Sequence, residues 1–340
     1  MEVIKTLIKR FESFPEDASN NRNAPFHEAF LKAFSDKLEG KVSDTPFFIS
    51  LSSWLHGLNT TLGLTFFENV AHLLCNGEKR EYTSKRSQNL QIKQTQRDNI
   101  SKIIADLSNA TRTPSLSYEN SQIFQNFETP EIKAMDFSAD IFYETDDSVV
   151  AIELKSVKPN SGEMRGEKQK ILEGKAALYQ KYPTKKIYFY IGFPFDPTAN
   201  PIEESVTSYN KTRFLDSIIN MNKFFDFDET LVASELWDFL SEKENTMEEI
   251  INIINTISTP KFLVKYQLLL DNSKRKTPEY LSQLKEWNLL SEVRLIENDE
   301  IIIRNLTKKL SREYNKTTFD VDGKYRWDRH EKLKDLIIQT

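Results

Sequence analysis

Asp140, Glu153 and Lys155 are the residues whose types and spacing can do chemistry. They lie in "ADIFYETDDSVVAIELKS", residues 139 to 156, which reads as two short strands joined by an acidic turn. With the turn at Asp146-Asp147, residue 145 faces 148, 144 faces 149, and Asp140 faces Glu153. Cβ atoms directly opposite one another lie about 4.5–5.5 Å apart, and like charges there repel. Period-2 alternation sends Val150, Ile152 and Leu154 to one face, and Val149, Ala151, Glu153 and Lys155 to the other. Two carboxylates and an ammonium therefore project together beside small residues. A divalent cation relieves the repulsion, and Mg²⁺ is the hard ion commonly held by one or two carboxylates. The lysine then orients or deprotonates a water activated by the cation. The same residues also suit an edge hairpin with a wet charged face, and Asp-Asp is a poorer two-residue turn than Asn-Gly.

Two helices must position this hairpin. Asn160 and Glu163 form a capping-box pattern that starts a helix over roughly 161 to 182. Met164, Ile171, Leu178 and Tyr182 fall on one stripe of it, with Lys168 and Lys175 in the middle of that stripe. Lysines seldom occupy a buried face without a partner. Either they snorkel to water, or the stripe crosses the charged face of the hairpin and both ammonium groups meet an anionic substrate, the reading adopted here. The second helix is "LGLTFFENVAHLLCNGEKR", ending near Gly77, with Phe67, Val70, Ala71 and Leu74 as its apolar stripe. Glu68 lies at the margin of that stripe. It is either a solvated glutamate or a carboxylate leaning over the sheet toward the cation and its water.

The bulk properties limit the alternatives. A chain of 340 residues with 39% hydrophobic and 29% charged residues suits a folded protein of about two domains. No apolar run approaches the ~20 residues that span a bilayer, and "MEVIKTLIKRFESF" reads as an amphipathic helix. The single Cys75 forms no internal disulfide, which is consistent with a reducing cytoplasm. Four scattered histidines make no zinc constellation, and no phosphate-cradling glycine loop is present. Net charge is −5, yet Lys79 to Arg112 holds eight Lys/Arg against three Asp/Glu. Glu153 to Lys186 holds nine against four, and Arg304 to the end ten against six. These stretches either face one polyanion or are solvated surface.

Residues 1 to 60 read as helical around the polar loop "PEDASNNRNAP". Residues 79 to 132 are polar, with "SKRSQNLQIKQTQRDNISKII" partly helical and "NATRTPSLSYENSQ" a loop. The strand "KKIYFYIGF" follows the 161–182 helix. Beyond about 200 the pattern is mainly helical, with "VRLIENDEIII" expected as a hairpin.

With these residues in place, Leu62 to Phe195 resembles the PD-(D/E)XK nuclease superfamily, and within it the type II restriction endonucleases. Asp140 falls at the motif aspartate, Glu153-Leu154-Lys155 at (D/E)-x-K, and "LGLTFFENVA" is similar to the Gly-x-x-Phe-Glu helix that contributes an extra acid, Glu68. "ELKSVKPNSGEMRGEKQK" is similar to a small restriction-enzyme family assigned to the five-base-pair site GGNCC. Ala139 stands where the motif has proline, and the last 140 or so residues match nothing in the resemblance. The resemblance implies an α/β (mixed α+β) core with a mixed sheet flanked by helices over residues 61–200, carrying the polar insertion 79–132. A helical region 1–60 precedes it, and a mainly helical region 201–340 serves recognition, dimerisation or both. It further implies Mg²⁺-dependent hydrolysis of double-stranded DNA to 5′-phosphate and 3′-hydroxyl ends, in a prokaryotic cytoplasm beside a protective DNA methyltransferase. Asp140, Glu153 and the carbonyl of Leu154 would hold Mg²⁺, Lys155 would position the water, and Arg165, Lys168 and Lys175 would meet DNA. A palindromic target favours a homodimer. "KYRW" in the tail either clamps nucleic acid or packs at a helix start. Two other readings stay open: a repair or recombination nuclease that recognises DNA structure, and a non-catalytic DNA-binding module on a nuclease fold.

Overall fold

The structure is a computed structural model that describes residues 66–84, 89–155, 161–200, 202–218, 220–257, 260–287, 289–320 and 325–338, with scattered single positions before residue 63. Apart from those few positions, the expected helices of residues 1–60 lie outside the described residues, as does the Asn160 cap. The chain forms two compact units, Leu62–Ile251 and Met1–Thr61 with Asn252–Thr340.

The first unit is built on a five-stranded mixed sheet in the order β1-β4-β5-β6-β7. Its strands are β1 (Glu78–Tyr82), β4 (Phe137–Glu144), β5 (Ser148–Leu154), β6 (Lys186–Phe193) and β7 (Thr230–Val232). β4 runs antiparallel to β1 and β5, while β6 runs parallel to β5 and β7. Glu144 pairs with Val149 and Ile141 with Ile152, so the hairpin has the register expected from its turn. It occupies the interior of the sheet rather than an edge, and Val149 to Ile152 are all buried. A two-stranded sheet of β2 (Gln91–Lys93) and β3 (Glu131–Lys133) stands apart from the main one.

Helices cover both faces of the main sheet. The long helix spans Ser161–Lys181 (α4, numbering the helices from Phe67–Cys75 as α1, Gln94–Ser108 as α2 and Leu116–Ile123 as α3). Its buried stripe of Met164, Ile171 and Leu178 follows the spacing expected. Gly174 brings α4 close to the sheet: a Cβ there would lie 2.6 Å from the Phe189 ring. Helices α5 (Lys211–Ser217) and α6 (Met221–Phe224) lead to β7, after which α7 (Ser234–Ser241) packs Phe239 against Tyr190, centroids 5.3 Å apart. Successive strand residues point to opposite faces, so α7 lies opposite α4. α1 joins α7 through Phe67 and Trp237, centroids 5.7 Å apart. α1 ends as its sequence directs, with Asn76 in the left-handed region at φ 52° just before Gly77.

Two expectations are corrected. "NATRTPSLSYENSQ" contains a helix, α3, capped by Ser115 accepting from the Tyr118 amide at 3.4 Å. Buried Glu119 and Ile123, four residues apart, hold it in place. "VRLIENDEIII" forms no hairpin but two helices, Leu290–Glu297 and Asp299–Arg304. Its buried residues Val293, Leu295, Ile296, Asp299 and Ile302, with Glu292 just before them, follow helical, not alternating, spacing. They belong to the second unit, where Leu295, Ile302, Leu333 and Leu336 form an apolar core and Glu292 takes Arg329 at 2.8 Å and Arg275 at 3.2 Å. Trp327 starts the last described helix, Trp327–Ile338, and its ring meets Tyr325 edge-on, with centroids 4.8 Å apart.

Candidate active site

The register that pairs Ile141 with Ile152 places Asp140 against Glu153. Opposite Lys79 the β1–β4 ladder shifts: Glu78 pairs with Phe142 but Arg80 with Ala139. One β1 residue thus faces Asp140 and Ile141, an irregularity of the bulge kind that re-aims a side chain. Asp140 is fixed from several directions. Lys79 Nζ donates to Oδ1 at 2.8 Å, the Leu154 amide donates to Oδ2 at 3.0 Å, and His72 Nε2 donates to the Asp140 carbonyl at 2.7 Å. Lys79 also lies 3.3 Å from Glu68, so Glu68 joins the site through a shared ammonium. Burial, and then the Asp140 charge, push the Glu68 carboxyl above its ordinary value.

Glu153 is buried on β5, and Lys155 follows it with its amide donating to the Gly192 carbonyl at 2.9 Å. Lys155 Nζ lies 2.8 Å from Glu167, 3.3 Å from Glu163 and 3.4 Å from Glu153. Lys170 Nζ lies 2.7 Å from Glu153 and 2.9 Å from Glu167. Burial drives the Glu153 carboxyl upward, Lys170 opposes this, and Asp140 adds to it. Burial would also lower the Lys155 ammonium, but Glu167, Glu153 and Glu163 outweigh it and keep the group cationic.

Three residues here escaped the reading of the sequence: Lys79, Glu167 and Lys170. Glu163, Glu167 and Lys170 are spaced i, i+4, i+7, one helical face, and that signal was available. Lys79 depends on the β1–β4 pairing and left none.

Lys168 and Lys175 are corrected. Their stripe faces the interior, where both are buried and bound to acids distant in sequence. Lys168 pairs with Glu229 and with Glu119 at 2.6 Å, and Lys175 pairs with Glu229 at 3.2 Å. A phosphate has no access to them. Two carboxylates offset the burial of Lys168 and raise its ammonium above the ordinary value; Lys175, burial opposed mainly by Glu229, is lowered. Arg165 is exposed on the first turns of α4, open to a phosphate.

The residues at the end of β5 fit a divalent cation. Oε2 of Glu153 is buried without a hydrogen-bond partner. Carboxylates of Glu68, Asp140, Glu153, Glu163 and Glu167 face the ammonium groups of Lys79, Lys155 and Lys170, a formal excess of two negative charges. Among the described residues no three His, Cys, Asp or Glu side chains converge as a preformed cage. One or two carboxylates completed by water is the arrangement that suits Mg²⁺.

A mixed sheet covered on both faces, with an aspartate opposed to a Glu-x-Lys segment, defines an α/β fold of the PD-(D/E)XK nuclease type. The chain belongs to the HinfI family of type II restriction endonucleases, whose family model, "Type II restriction endonuclease, HinfI", matches residues 1–258. It is similar to the type II restriction enzyme MjaII of Methanocaldococcus jannaschii, with 41% identity over 361 aligned positions covering 99% of this chain and 95% of that protein. No solved structure matches. No described helix is long and apolar enough to cross a membrane.

Proposed function

We propose that this type II restriction endonuclease hydrolyses DNA phosphodiesters at the Asp140–Glu153–Lys155 site with Mg²⁺ as its cation. The observation that carries the reading is the placement of Asp140 against Glu153, with Oε2 of Glu153 buried and without a hydrogen-bond partner. Asp140, Glu153 and the carbonyl of Leu154 would hold the ion. Bound there, Mg²⁺ supplies charge for the phosphate and acidity for a water. Lys155, an ammonium held by Glu153 and Glu167, orients that water and faces the charge that grows on phosphorus-bound oxygen. Water attacks phosphorus and the bond to the 3′ oxygen breaks, leaving a 5′-phosphate and a 3′-hydroxyl. Glu68, tied to Asp140 through Lys79, is an auxiliary acid.

The target in this reading is double-stranded DNA at GGNCC, supported by the resemblance of the Glu153–Lys170 stretch. A palindromic site of that kind suits a homodimer. Arg165 positions a backbone phosphate. Recognition, dimerisation or both fall to the mainly helical chain after residue 200, of which residues 252–340 share a compact unit with residues 1–61. The enzyme works in a prokaryotic cytoplasm beside a methyltransferase that protects host DNA. Digestion of a sequenced plasmid and a phage genome with Mg²⁺, with EDTA as control and the ends mapped, tests this. Ends that converge on GGNCC support it; preference for flaps, junctions or free ends would instead favour a structure-specific nuclease.

A further inference from the structure

Glu153 faces two demands. As a cation ligand it must offer its charge to the metal, yet Lys170 lies 2.7 Å and Lys155 3.4 Å from its Oε1. Both ammonium groups also touch Glu167, Lys155 at Oε1 and Lys170 at Oε2, 2.8 and 2.9 Å away. The four side chains form a closed square between the end of β5 and α4. They are only 9% (Glu153), 14% (Glu167), 16% (Lys155) and 20% (Lys170) exposed, so water does little to replace a lost partner.

We propose that Glu167 is a positioning residue that retains both ammonium groups when Glu153 turns to the cation, and that Lys170 competes with the cation for Glu153. This rests on the reading of Asp140 and Glu153 as the cation site. Each lysine already contacts both glutamates, so the exchange requires a change of side-chain partner and no movement of the main chain. Glu167 stands on α4, outside the strand pair that carries the proposed ligands, and its placement over Lys155 keeps that ammonium directed when Glu153 is engaged elsewhere. Without Glu167, Lys170 falls back on Glu153 and opposes the metal, while Lys155 keeps Glu163 at 3.3 Å.

The two variants shift metal affinity in opposite directions. Lys170→Met removes the competitor and tightens binding; Glu167→Gln leaves Lys170 with Glu153 as its remaining carboxylate and weakens it. General damage to the α4 face would weaken binding in both. The test is calorimetric titration of the full-length, DNA-free protein with Mn²⁺, with thermal midpoints to establish folding and steady-state cleavage at saturating metal alongside. The Lys170→Met dissociation constant falls by about threefold or more and the Glu167→Gln constant rises by about three- to tenfold, at or somewhat above the range of a single exposed ion pair. Glu167→Gln also lowers kcat with KM for DNA unchanged, and Glu167→Asp restores part of it. If both variants weaken Mn²⁺ alike, or neither shifts it, while Asp140→Ala abolishes Mn²⁺ binding, the exchange is wrong and the metal site stands. If Asp140→Ala binds Mn²⁺ as the native chain does, the metal site falls, and the exchange with it.

Discussion

The main-chain amide of Leu154 donates to Oδ2 of Asp140 at 3.0 Å. The aspartate of β4 is therefore fixed by the same three residues that supply Glu153 and Lys155. Lys79 holds the other oxygen and His72 holds the Asp140 carbonyl, so the carboxylate direction is set before any ligand arrives.

Glu68 acts at one remove, through Lys79. Glu68→Gln is expected to lower single-turnover cleavage by about ten- to a hundredfold, less than loss of a group that meets the developing charge directly. A loss as deep as that of Asp140→Ala would promote Glu68 to a direct ligand.

Two glycines of α4 separate packing from propensity. Gly174→Ala drives a Cβ to 2.6 Å from Phe189 and 3.1 Å from Phe137, both buried. It should cost about 1–3 kcal/mol despite the better helix propensity of alanine. Gly166→Ala meets nothing within 4 Å and should gain about 0.5–1 kcal/mol. Urea unfolding midpoints read both, and shifts of the same sign would contradict the close approach of α4 to the sheet.

Glu229 is the counter-charge of two buried lysines. Glu229→Gln leaves Lys175 without its carboxylate and should destabilise the chain by about 3–5 kcal/mol. Burial would raise the Glu229 carboxyl, but Lys168 and Lys175 outweigh it and hold the group below its ordinary value of 4.5. A depressed carboxyl contributes stability that is complete above about 4.5 and is lost as pH falls through the folded value. Glu119, raised chiefly by burial, has the opposite sign. Thermal midpoints of the native chain should therefore drop in acid more steeply than those of Glu229→Gln; parallel curves would refute the assignment.

What the sequence revealed was local. The hairpin register follows from a short turn and strict alternation, and both lie within residues 139 to 156. The stripe of α4 was legible in the same way, and it identified Lys168 and Lys175 as unusual. Their partners were not legible, because Glu119 and Glu229 come from elements 49 or more residues away. A buried lysine with no local acid reads as a substrate group until the tertiary partner is known. Lys79 was hidden for the same reason, since its role depends on a ladder irregularity opposite Asp140.

The central claim is most directly tested by Mg²⁺-dependent cleavage of plasmid DNA by Asp140→Ala and Lys155→Ala, with circular dichroism and DNA binding measured on the same preparations. Both variants are expected to fold and bind DNA while cleavage falls by about a thousandfold or more, as for removal of groups that act together on one transition state. Undiminished cutting by either folded variant, free of contaminating nuclease, would contradict the site.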